Sequence, residues 1–280
     1  MLGAGILLML AAPAAAPPPA AVAGPPPTAT EAPPAPLPSN AILIAGDSTV
    51  SDYQSKAYPQ AGWGMMLRCA LAPGVTLQNF AIGGRSTRTF LSEGRWDKLM
   101  AAVKPGDTVM IQFGHNDADR SKPERFARAW TDYRDNLTRF VWMVRGAKGT
   151  PVLVTPVARH SFNDRGLAQA DFAEYSDVMR EVAQKTGTPL IDLESLSRAW
   201  LDKTGSDASL RFYMHFTAEQ APNFPKGIQD NTHFSELGAR GVADLVAGAL
   251  AGLNLPISQK ILADRPDLTR TTPLGRGACH

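Results

Sequence analysis

Four short stretches carry residue types that could do acyl-transfer chemistry. The first is Gly46-Asp47-Ser48-Thr49-Val50, which puts a serine just after a wholly apolar run, Ala41–Ala45. Ser48 reads as a nucleophile exposed at a turn, although on this stretch alone a serine capping a helix is the commoner reading. The second is Gly83-Gly84-Arg85-Ser86. Paired glycines let backbone N–H groups come close to a ligand and stabilise an oxyanion; a tight turn is the plainer reading. The third is Phe113-Gly114-His115-Asn116-Asp117. The Asn116 amide could donate to developing negative charge, or simply close an Asx-turn. The fourth is Asp230-Asn231-Thr232-His233. Here His233 is a candidate general base and Asp230 a partner for its second nitrogen, converging in one loop. The alternative is the acidic first turn of a helix.

These residues need a scaffold. Short apolar runs that read as buried strands occur at 41–45, 76–81, 107–113, 151–155 and 189–192. Helical spacing of apolar residues marks 62–71, 93–103, 125–145, 168–186, 193–203 and 235–253, with Ser235 as the N-cap of the last. In the 125–145 segment Phe126, Trp130, Tyr133, Leu137, Phe140, Val141 and Val144 form one stripe. Strand and helix alternate, which predicts a parallel sheet with helices on both faces. In such sheets ligands bind outside the carboxyl ends of the strands. Three of the four stretches lie there, and the fourth opens the last helix. Segment 205–229 lacks periodicity and reads as a loop or short-helix insertion; 254–280 reads as a polar tail with little core. The five tryptophans, Trp63, Trp96, Trp130, Trp142 and Trp200, sit on helix faces and are expected in the core.

The domain spans 41–253. Before it, Leu2–Ala12 is an apolar run too short to cross a bilayer, followed by small residues, so 1–23 is expected to be a signal peptide directing export. No Lys or Arg precedes that run. Nearly half of the 23 prolines fall before residue 40, making 24–40 an extended linker. A net charge of +2 over 280 residues is far too small to suggest a nucleic-acid surface by itself. Two cysteines, Cys69 and Cys279, exclude a disulfide-built scaffold and a cysteine zinc site. They could pair in an exported protein; the favoured reading is a buried small residue and a free tail thiol.

Taken in order, Ser48, Gly84, Asn116 and His233 resemble the four signature blocks of the SGNH (GDSL-type) hydrolases. Val50 replaces the second glycine of a G-x-S-x-G elbow, which argues against an α/β-hydrolase. Ala45–Thr49, Gly62-Trp63-Gly64, Gly84–Ser86, Glu93-Gly94-Arg95, Phe113–Asp117 and Asp230–His233 are similar, more narrowly, to the rhamnogalacturonan acetylesterases of carbohydrate esterase family 12. The resemblance covers about residues 41–252. It implies a three-layer α/β/α sandwich, flavodoxin-like, with a five-stranded parallel sheet. It also implies a triad of Ser48, Asp230 and His233, an oxyanion hole from the Ser48 and Gly84 N–H groups and the Asn116 amide, and no metal or cofactor. The implied substrate is an acetylated polysaccharide and the implied product acetate.

That implication raises a further expectation. Pectic backbones carry uronates, and arginine pairs carboxylates in bidentate fashion. Arg88 is therefore a candidate substrate contact, against an ion pair with Glu93 or Asp97. His115 is a second candidate at the substrate, with a structural hydrogen bond shaping the Asn116 loop as the favoured role. Asp47 is expected to brace the turn. Other readings are an SGNH esterase acting on xylan, an aryl ester or a lipid, a binuclear metallophosphoesterase, and a non-catalytic sugar-binding module. The metal enzyme needs more histidines than the five present, none of which forms an H-x-H pair. Neither integral membrane association nor nucleic acid is expected, and the chain is expected to act as a monomer.

Overall fold

The computed structural model describes Met1, residues 40–265 and Cys279. The expected signal peptide, the linker up to residue 39 and most of the tail after Arg265 lie outside the described residues.

Five parallel strands form the central sheet: β1 (Ala41–Gly46), β2 (Thr76–Asn79), β3 (Thr108–Gln112), β4 (Thr150–Val154) and β5 (Leu190–Ile191). Their order is β2-β1-β3-β4-β5, with the first residues of β1 level with Thr76 of β2 and Thr108 of β3. The order reverses between β1 and β3, which opens a crevice at their carboxyl ends. Strand β1 is apolar throughout because both of its faces are covered. Ile42 and Ile44 face a layer built by α1 (Trp63–Leu67), α6 (Leu193–Thr204) and α8 (Glu236–Ala251). Leu43 and Ala45 face a layer built by α2 (Thr87–Ser92), α3 (Arg95–Ala102), α4 (Arg134–Gly146) and α5 (Ala173–Thr186). This is the expected three-layer sandwich.

Several local expectations are corrected. The 125–145 helix starts later: a π-turn over Ala129–Tyr133 leads into α4, so Arg125 and Phe126 remain in the preceding loop. The extra residue in that turn shifts the register, and Trp130 leaves the stripe to stand 43% exposed, while Tyr133, Leu137, Phe140, Val141 and Val144 are buried. Trp142 is exposed too, with Arg145 over its ring. The 93–103 segment is preceded by a separate helix, α2, opened by a capping box of Ser86 and Thr89.

The 205–229 insertion is structured. It holds α7 (Ser206–Ser209) and β6 (Tyr213–Phe216), which pairs antiparallel with β7 (Ile228–Phe234). The start of the tail also packs. A 3-10 turn at Pro256–Lys260 buries Ile257, and Ile261 bridges to Leu71. Cys279 is disulfide-bonded to Cys69, so the free-thiol reading is overturned.

Candidate active site

The turn after β1 is braced from three sides. Asp47 is fully buried; its Oδ1 accepts the Thr49 N–H at 2.9 Å and the Thr49 hydroxyl at 2.8 Å. The Thr49 hydroxyl in turn accepts from Gln112 Nε2 at 2.7 Å, and Gln112 Oε1 accepts the Trp63 indole N–H at 2.7 Å. This chain of bonds runs in one direction, from indole to carboxylate, and ties the β1 turn to β3 and α1. Asn79 Nδ2 donates to the Val50 carbonyl, and the Tyr53 hydroxyl donates to the Ser48 carbonyl, both at 2.8 Å. A Cβ on Gly62 would lie 2.3 Å from Ser51 O, and one on Gly64 2.5 Å from Val50 O. Glycines on both sides of Trp63 are what let α1 press against the turn. Asp47 thus braces the turn, as expected.

Gly84 follows β2 with φ +79°, a conformation that glycine adopts without strain. Gly83 does not share it, and a Cβ there would meet Ser48 Cβ at an ordinary 3.5 Å. Asn116, after β3, is 7% exposed and donates from Nδ2 to the Arg85 carbonyl at 2.9 Å, which locks the Gly84 and Asn116 loops together. Asp117 completes the lock: its Oδ1 accepts both the N–H (2.9 Å) and the hydroxyl (2.5 Å) of Thr87, the first residue of α2. Burial raises its carboxyl to about 7 against those two bonds.

Asp230 and His233 lie on β7, and neither a loop nor the start of α8 holds them. Tyr213 pairs with Phe234 while its neighbour Met214 pairs with Asp230, so residues 231–233 bulge out of the ladder. Bulges re-aim side chains beside active sites. Here the bulge folds back on Asp230, whose Oδ1 accepts the N–H groups of Thr232 (2.7 Å) and His233 (3.0 Å). Its Oδ2 lies 2.7 Å from His233 Nδ1. Burial pushes the Asp230 carboxyl up, but these bonds outweigh it and hold it well below the usual carboxylate range. With Nδ1 engaged, Nε2 is the imidazole nitrogen left for a substrate or a hydroxyl. The bulge is clamped from outside by His160 N–H to Asn231 O (2.8 Å), Arg159 Nε to Thr232 Oγ1 (2.9 Å) and His215 Nε2 against Asn231 Oδ1 (2.6 Å).

Ser48, Gly84, Asn116, Asp230 and His233 line one open cavity of about 470 Å³, together with His115, Arg125, Arg159 and Phe172. Among the described residues no hydrogen bond joins the Ser48 hydroxyl to His233. Such bonds are often long before substrate arrives and tighten in the Michaelis complex. His115 lines the cavity, but among the described residues the expected hydrogen bond is not formed by either ring nitrogen. Its ring packs 4.3 Å from Phe172, and Nδ1 stands 3.5 Å from Asp47 Oδ2. Burial pushes the Asp47 carboxyl up, and the His115 imidazole and Thr49 bring it below its ordinary value.

Arg88 is elsewhere. It pairs with Asp132 at 3.2 Å and lines a separate cavity between α2 and α4, because Thr87, its neighbour on α2, turns inward to Asp117 and leaves Arg88 on the outer face. Neither Glu93 nor Asp97 is its partner; Glu93 is taken by Arg85 and Arg95. The cations in the Ser48 cavity are Arg125, paired with Asp119, and Arg159. Sequence reading passed over both. Apolar spacing puts Arg125 in a helix, whereas the π-turn begins only at Ala129 and α4 at Arg134. Arg159 sits just beyond β4, so the strand-end logic that found Ser48, Gly84 and Asn116 would have found it.

Among the described residues no group of three or more His, Cys, Asp or Glu side chains is placed to hold a metal ion, and no helix is long and apolar enough to cross a membrane. A flavodoxin-like sheet with these residues at its carboxyl edge is the arrangement of an SGNH hydrolase. The chain belongs to the GDSL-like lipase/acylhydrolase family, whose model matches residues 44–240. It is a carboxylic ester hydrolase. It is 38% identical over 222 residues to rhamnogalacturonan acetylesterase RhgT of Bacillus subtilis (strain 168), covering 79% of this chain and 94% of that protein. It is 36% identical over 227 residues to the probable rhamnogalacturonan acetylesterase YesY of the same organism, covering 81% and 100%. Among solved structures, protein YxiM of Bacillus subtilis superposes with a TM-score of 0.65 at 26% identity, over 76% of this chain and 56% of that one. The acetylxylan esterase Axe2 of Geobacillus stearothermophilus, at 17% identity and a TM-score of 0.53 over 75% and 93% of the two chains, shares the fold.

Proposed function

We propose that the protein is a serine esterase that removes O-acetyl groups from rhamnogalacturonan through an acetyl-enzyme. The observation that carries the chemistry is the convergence of Ser48, Gly84, Asn116 and the bonded Asp230–His233 pair on one cavity. The likeness to RhgT and YesY supports the substrate.

Ser48 Oγ attacks the acetyl carbonyl carbon while His233 Nε2 takes its proton. Asp230 keeps Nδ1 protonated and stabilises the imidazolium that forms. The oxyanion is held by the N–H groups of Ser48 and Gly84 and by the amide of Asn116; losing one such donor costs about 10²–10³ in rate. The sugar oxygen leaves with the proton from His233. Water then attacks the acetyl-enzyme by the same route in reverse and frees acetate. We further infer export, supported by the apolar run at Leu2–Ala12 and by the Cys69–Cys279 disulfide, a bond that persists in oxidising compartments.

The test is acetate release by the full chain and by Ser48→Ala on acetylated rhamnogalacturonan, acetylated xylan and p-nitrophenyl acetate. Ser48-dependent release that favours the pectic polymer is expected. Release from the small ester alone would remove the substrate assignment and keep the chemistry.

A further inference from the structure

Arg159 and Arg125 are the guanidinium groups that line the Ser48 cavity, and they differ in one respect. Arg125 is neutralised by Asp119. Arg159 makes one hydrogen bond, from Nε to the neutral Thr232 hydroxyl at 2.9 Å, and pairs with no acid among the described residues. The cavity's other carboxylate, Asp230, is held by His233 and by two backbone N–H groups. The two terminal nitrogens of Arg159 are therefore left for an anion from outside the protein. The Thr232 bond fixes the stem, so that less freedom is lost when the guanidinium engages a ligand.

We propose that Arg159 binds the carboxylate of a uronate ring while the acetyl ester of the same or the adjacent ring lies at Ser48, making Arg159 a specificity-determining residue. The inference rests on the rhamnogalacturonan reading above and deepens it. A planar guanidinium meets a carboxylate with two parallel hydrogen bonds, which a neutral sugar cannot reproduce. Arg159 then does what Arg88, committed to Asp132 on another face, is not placed to do.

The test compares kcat/KM on acetylated rhamnogalacturonan oligosaccharides with kcat/KM on the same oligosaccharides after carboxyl reduction and re-acetylation. Wild type is expected to prefer the charged substrate by about 10-fold or more, mostly through KM. Arg159→Gln should bring that preference to within about 2-fold, and Arg159→Lys should restore part of it. Because Arg159 also touches the bulge that carries His233, Thr232→Val removes their shared bond and keeps the charge; it should preserve the preference whatever it does to the rate. A preference that survives in Arg159→Gln, or that Thr232→Val abolishes equally, would overturn the proposal. Wild type that hydrolyses both substrates without preference overturns it alone. Wild type inactive on both overturns the substrate reading, and this inference with it.

Discussion

The Asp117 carboxylate is shared unevenly with Thr87: one oxygen accepts two bonds from that residue, and the other, Oδ2, is buried with no partner. Beside the Asn116–Arg85 bond, that oxygen joins the loop carrying Asn116 to the helix that follows Gly84, so the placing of both residues at the cavity leans on a carboxyl that burial raises to about 7.

The anchor predicts a pH dependence. An unfolded aspartate titrates near 3.8, so between about pH 4 and 7 the native state holds a proton that the unfolded chain releases. Native stability from this group falls as pH rises through that window, by at most about 1.4 kcal/mol per pH unit, and levels off above it. Asp47 and Asp230 have lowered values, so their contributions are lost only on acidification below about pH 4. Urea unfolding of wild type and Asp117→Asn at pH 4.5 and 7.5 should show the variant gaining relative stability at the higher pH. A difference that does not change with pH would refute the raised value.

Neighbouring glycines should respond differently. Gly84→Ala meets open space, with Arg125 Nη1 the nearest atom at 3.8 Å, but it forces a side chain into φ +79°. The expected cost is about 1 kcal/mol or more of stability and on the order of 10² in kcat as the N–H shifts. Gly83→Ala, with normal φ and ordinary contact to Ser48, should change stability by less than about 0.5 kcal/mol. Melting curves and p-nitrophenyl acetate turnover distinguish the pair; equal effects would contradict the backbone argument.

Thr49→Val tests the bracing of the β1 turn. The shape is kept, while Gln112 Nε2 loses its acceptor and Asp47 Oδ1 loses a donor, all in a fully buried setting. Denaturant unfolding should show a loss of about 1–3 kcal/mol. Unaltered stability would mean that the bonds are satisfied in another way.

Asp230→Asn should lower kcat by about 10³–10⁴ with little change in KM, since the imidazole loses its tautomer control and the partner that stabilises its charge. Single-turnover acetylation is the step to follow. A variant slowed only in substrate binding would assign Asp230 another role.

Reduction of the Cys69–Cys279 disulfide, which closes a span of 210 residues, should lower stability by about 2–4 kcal/mol. Thermal melts with and without reductant, beside Cys69→Ser, measure it. Reductant that lowers the melting temperature of Cys69→Ser as well would point away from the disulfide.

The sheet was legible because Ile42 to Ala45 must be apolar on both faces, and the nucleophile turn, the glycine and the asparagine followed from where those strands end. The hairpin leaves little trace in the sequence because β7 reads Ile-Gln-Asp-Asn-Thr-His-Phe, polar through its middle and buried only at Phe234, so no apolar alternation marks it. A π-turn adds one residue without any signature residue of its own, which is why apolar spacing alone cannot show that Trp130 faces out. Two cysteines allow one pairing, but nothing in a spacing of 210 residues says whether the two thiols meet in the fold. Arg88 misled because charge type is visible in a sequence while the face of a short helix is set by the residue beside it, here Thr87 drawn in by Asp117.

Ser48 stands on the turn that follows β1 of the parallel sheet, whereas Asp230 and His233 ride on β7 of a two-stranded hairpin outside it. Their mutual bond is contained within four residues, so the acid–base pair moves as one piece. Displacing the hairpin changes how far the imidazole stands from the hydroxyl and leaves the chemistry inside the pair alone. The distance from Ser48 to His233 and the bonding inside the Asp230–His233 pair are thereby set by different parts of the chain. Substitutions in the hairpin stem act on that distance, and substitutions between residues 230 and 233 act on the bonding inside the pair.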